Sequence, residues 1–70
     1  MKLSTRNQLR GVVTSIDEGV VTAIVKVALD GGGQSMTSSI TREAARELGL
    51  QVGSPVIVLV KASEVGIAVD

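Results

Sequence analysis

Apolar residues recur along much of this chain at intervals of two, so it reads chiefly as strands. Residues 9–16 are rich in valine, threonine and isoleucine, which suit a pleated, half-buried surface. Gly11 inside this run marks a bulge or a close backbone approach. Asp17, Glu18 and Gly19 predict a hairpin turn, with Gly19 free to take positive φ. Residues 20–29 predict a long second strand. Val21, Ala23, Val25, Val27 and Leu29 make one apolar face, and Val20, Ile24 and Ala28 make the other largely apolar, with Thr22 and Lys26 among them. Asp30 followed by Gly31, Gly32 and Gly33 is the strongest turn signal. Residues 34–40 are polar apart from Met36 and Ile40, as a strand with one wet face would be.

Residues 41–49 switch to helical chemistry. Thr41 is a good N-cap, and Ala44, Ala45 and Leu48 supply an apolar stripe. Glu43 and Arg46 are spaced to pair, while Gly49 and Leu50 suit the positions just past a helix end. Gly53, Ser54 and Pro55 start another turn. Residues 56–60 are a continuous apolar run, and residues 65–69 predict a last strand. The expected fold is mainly β: a five-stranded, OB-like small barrel with one short helix between strands 3 and 4. Residues 20–29 and 56–60 are apolar on both faces, yet so small a barrel buries only its inner face. Either a second subunit covers the outer residues or the helix does.

Length and composition sharpen this picture. Seventy residues make one domain, spanning 1–70. A chain this short buries only roughly 60% of its unfolded surface and usually needs a staple. It has no cysteine, so no disulfides and no thiolate metal sites, and oligomerisation is the staple left. Seven Lys and Arg balance seven Asp and Glu, and there is no aromatic residue. Nucleic-acid binders carry a basic excess or stacking platforms, so neither a nucleic-acid partner nor an OB-type nucleic-acid module is expected. No apolar run approaches a membrane span and the opening residues lack a signal-peptide core, so the expected location is cytoplasmic, without membrane attachment.

Catalysis has little to work with. Seven serines are present, but there is no cysteine nucleophile and no histidine to activate a serine. The carboxylates are scattered singly, and no Asp-x-Asp-x-Asp-Gly cluster or phosphate loop exists, so no enzyme, cofactor or protein-bound metal ion is expected. What remains is hydroxyls and cations at segment ends: Ser4, Thr5, Arg6, Asn7 and Gln8 before the first strand, Thr41 at the helix start, and Lys61, Ala62 and Ser63 after the fourth strand. Such donors suit a tetrahedral dianion if they converge. On residue chemistry alone, turns and solvated surface are the plainer account.

The run Ser4-Thr5-Arg6-Asn7-Gln8-Leu9-Arg10-Gly11 closely resembles the Ser-Ala-Arg-Asn-Gln-Leu-x-Gly opening of the molbindins, the Mop-type molybdate-binding domains. Asp17-Glu18-Gly19, Ile40-Thr41, Glu47-Leu48-Gly49-Leu50 and Val60-Lys61-Ala62-Ser63-Glu64-Val65 resemble that family in the same order, so the likeness covers essentially the whole chain. The resemblance implies a homohexamer, a trimer of dimers, holding molybdate or tungstate as intact oxyanions between subunits for storage and homeostasis. It implies a main site drawing on Ser4, Arg6, Thr41, Lys61, Ala62 and Ser63, and a second near a three-fold axis around Gly19, Val20 and Thr22. Several relatives carry a serine where this chain has Ala44, which removes one hydroxyl donor. The competing expectation is a regulatory or interaction module whose partner contacts respond to oxyanion binding.

Overall fold

A computed structural model describes all 70 residues. The elements in order are β1 (Asn7–Glu18), β2 (Thr22–Leu29), β3 (Ser35–Thr41), helix α1 (Arg42–Glu47), β4 (Pro55–Val60) and a single 3-10 turn, Ala62–Glu64. The strands form one antiparallel sheet in the order β3-β2-β1-β4. The long strand β1 is its spine. Its first half pairs with β4, from Asn7 opposite Val60 to Val12 opposite Pro55. Its second half pairs with β2, from Gly11 opposite Leu29 to Glu18 opposite Ala23.

Two backbone features place the core. Thr14 is an extra residue between Val13, opposite Val27, and Ser15, opposite Lys26. This bulge lets Val13 and Ile16 share the inner face although they are three residues apart. Gly11 is the close approach: a Cβ there would lie 2.5 Å from the Ala28 carbonyl oxygen and 2.7 Å from Val27 Cγ1. Val13, Val25 and Val27 form the buried centre, with Ile16, Leu29, Ile40, Leu50, Val56 and Val58 packed against it. The expected inner face of β2 holds for Ala23, Val25 and Val27, all buried, but Val21 is exposed in the turn.

Helix α1 is capped as its sequence predicts. Thr41 Oγ1 accepts from the Ala44 amide at 3.0 Å. At the other end the Gly49 amide donates to Arg46 and the Leu50 amide to Ala45, with Gly49 at φ 64°, which is a Schellman closure. Other expectations are corrected. Leu48 is exposed, and Ala45 alone in the helix is buried. Arg46 pairs with Glu18 at 3.1 Å instead of Glu43, because α1 lies beside the end of β1. Gly19 is not left-handed: the turn tightens through its amide, which donates to the Thr22 carbonyl at 2.7 Å.

The sheet has four strands, not five, and does not close into a barrel. Residues 65–69 form no strand, and Val65, Ile67 and Val69 are 47%, 89% and 92% exposed. The fold is therefore a mainly β, OB-like sheet with the helix between its third and fourth strands and two free edges, β3 and β4. It exposes 5506 Å², against about 4100 Å² for a compact monomer of this mass. Its radius of gyration is 12.9 Å, where about 11 Å is usual for the length. No helix is long and apolar enough to cross a membrane.

Candidate oxyanion site

The antiparallel pairing of β1 with β4 brings the start of one to the end of the other. Asn7 and Val60 are register partners, and Asn7 Nδ2 donates to the Val60 carbonyl at 3.0 Å. Ser4 and Arg6 therefore enter the sheet where Lys61, Ala62 and Ser63 leave it. The Glu64 amide closes on the Lys61 carbonyl at 2.9 Å, which folds 61–64 into a tight turn. That turn leaves the Ala62 and Ser63 amides without an acceptor in the chain. Arg6 and Lys61 bring two positive charges to this pole, and the nearest carboxylate in sequence is Glu64. All five expected ligands here are exposed. One guanidinium, one ammonium, two hydroxyls and two backbone amides make a donor-rich pole with nothing covering it.

Thr41 lies elsewhere. It is the register partner of Thr22, at the end of the sheet where Glu18 faces Ala23. Eleven residue steps of β1 separate this far pole from Asn7, on the order of 30 Å, in a molecule whose longest dimension is 38 Å. The six residues expected to form the main site are thus split five to one between opposite poles. Thr41 instead neighbours Gly19, Val20 and Thr22, the residues expected in a second site. Val20, Val21, Thr41 and Arg42 line one open depression there with Glu43, Arg46 and Glu47. Thr41 Oγ1 accepts from the Ala44 amide, so its hydroxyl proton remains available to donate outward.

The remaining chemistry is sparse. No cluster of three or more His, Cys, Asp or Glu is placed to hold a metal ion. The largest depression is lined by Arg10, Val12, Leu48, Leu50, Pro55 and Ile57 among others, and touches none of the expected ligands. Sequence reasoning missed the role of Asn7, whose amide ties the two arms of the donor-rich pole together. Its place inside the opening motif was the available signal. The separation of Thr41 was also legible in principle, because a hairpin of β2 and β3 returns the end of β3 to the start of β2.

The TOBE domain matches residues 3–67. A probable molybdenum-pterin-binding protein of Haemophilus influenzae is 43% identical over 70 residues, covering all of both chains. Among solved structures, MopII from Clostridium pasteurianum superposes with a TM-score of 0.89 at 38% identity, covering 97% of this chain and 100% of that one. The cytoplasmic molybdate-binding protein ModG, in a form with molybdate bound, gives a TM-score of 0.85 at 45% identity, over 91% of this chain and 45% of that one. Relatives that match end to end, on a shared fold, are sufficient for assignment: the chain belongs to the TOBE domain family, among the Mop-type molbindins.

Proposed function

We propose that this chain binds molybdate, or tungstate of the same shape, as an intact oxyanion at interfaces between its own copies, and that it is a binding and storage protein rather than an enzyme. The observation that carries this reading is the division of the donors between two poles. Ser4, Arg6, Lys61, Ala62 and Ser63 of one copy would meet Thr41 of a second, so each anion would be enclosed by two chains. One pole alone is open to water, where charge-assisted hydrogen bonds are weak; enclosure in an interface strengthens them.

The surface supports assembly. The chain exposes roughly 1400 Å² more than a compact monomer would, above the roughly 800 Å² that one partner contributes to a standard interface. A hexamer built as a trimer of dimers would use that surface, and would place the Gly19, Val20 and Thr22 hairpins of neighbouring copies around a second anion. The expected cytoplasmic location agrees with ModG, which is a cytoplasmic protein. The Haemophilus relative is named for molybdenum-pterin, but this chain has no aromatic residue on which a pterin ring could stack, which favours the bare anion.

Calorimetric titration with molybdate in excess sulfate tests the reading. Saturable heat that survives sulfate is expected, since molybdate is the larger tetrahedral dianion and a fitted site discriminates by size. An intact oligomer that gives no heat would reduce the likeness to a shared fold.

A further inference from the structure

Arg42 differs from every other cation of the chain. It is half-buried, whereas the other Lys and Arg residues are exposed. Its neighbour Arg46 is neutralised by Glu18 at 3.1 Å, but no carboxylate lies within ion-pair distance of Arg42. Its backbone is fixed, with the amide donating to the Val21 carbonyl at 2.8 Å, while its guanidinium donates to no group of the chain. It shares with Thr41 the wall of the depression at the far pole, about 470 Å³ in volume. Glu43 and Glu47 line the same depression but neither pairs with Arg42, so its planar donors are left free, and they fit an oxyanion in a bidentate manner.

We propose that Arg42 is a third cation of the oxyanion site and sets its selectivity by charge. The inference rests on the two-chain site described above. Arg42 enters that site beside Thr41, while Arg6 and Lys61 come from the other copy. The attraction of a fixed cation for an anion scales with the anion's charge. Arg42 therefore favours a dianion about twice as strongly, in free energy, as a monoanion of the same shape. Arg6 and Lys61 already balance a dianion, so the third cation selects the doubly charged ligand without being needed for neutrality.

Tungstate and perrhenate are the appropriate probes, being tetrahedral oxyanions of nearly the same size, doubly and singly charged. Tungstate affinity is measured by calorimetry, and perrhenate affinity by displacement of tungstate. Both are applied to wild type, Arg42→Gln and Arg42→Lys, with assembly followed by light scattering. In Arg42→Gln the tungstate affinity falls about tenfold, as for loss of one charge-assisted contact. Perrhenate affinity falls only about threefold, so the ratio between the two drops. Arg42→Lys keeps the wild-type ratio. Should the Gln variant fail to assemble, Arg42→Met, which retains the aliphatic stem, takes its place. Equal losses for both anions, or none, would overturn the inference and leave the two-chain site standing. A wild type that binds neither anion would overturn both.

Discussion

Two residues show how much this fold rests on single atoms. Gly11 sits where β1 crosses from β4 to β2, and a methyl group there would collide with the Ala28 carbonyl and the Val27 side chain. Gly11→Ala is expected to destabilise the chain by about 1–3 kcal/mol, as overpacking does, read as a lower urea midpoint. A midpoint equal to wild type would mean the strands separate easily at this point. The sequence marked Gly11 as a bulge or a close approach. It is the second, and the bulge falls at Thr14, which no local signal distinguishes from the β-branched residues around it. Thr41 has two separable duties. Its oxygen caps α1, and its proton is free for a ligand. Thr41→Val should lose about 1 kcal/mol of stability with the cap and also weaken molybdate binding, whereas Thr41→Ser should keep both. Calorimetry beside thermal melting separates the two, and full binding by Thr41→Val would remove Thr41 from the site.

At the scale of elements, strands read from period-two alternation were found wherever the chain itself supplies a partner. β1 to β4 each bury one face or find a register neighbour, and α1 begins and ends where Thr41 and Gly49 say it should. Residues 65–69 carry the same alternation and stay unpaired. Alternation reports a preference for a sheet, not whose sheet it is, so it cannot tell an intrachain strand from a segment that waits for another copy. Val65, Ile67 and Val69 are among the chain's more exposed apolar side chains, and the free edge of β4 is an unfilled hydrogen-bonding ladder. If this tail is covered on assembly, Ile67→Asp lowers the oligomer's mass in light scattering while far-ultraviolet circular dichroism keeps its strand signal. An unchanged mass would show that the tail stays outside the interfaces.

The whole molecule has the proportions of a part. It has only six buried residues of 70, an enlarged surface and an extended radius. The elimination of disulfides and of His or Cys metal sites from composition already pointed to oligomerisation as the staple. The candidate ligands were legible in the motifs, but their geometry was not. The family resemblance placed Ser4, Arg6 and Lys61 beside Thr41 in one site, while antiparallel pairing puts them at opposite ends of β1. A residue list carries no information about which copy supplies each member, and that is decided by strand direction and length.

Complementation between two defective chains tests this most directly. Arg6→Ala removes a cation from the donor-rich pole, and Thr41→Val removes the hydroxyl from the far pole. Each variant alone is expected to bind molybdate poorly in calorimetry. When the two are unfolded together in equal amounts and refolded as mixed oligomers, interfaces that join the intact pole of each are restored. Random mixing predicts that about a quarter of the sites regain wild-type affinity. A mixture in which no site recovers, although mixed oligomers have formed, would contradict an anion site shared between two copies of the chain.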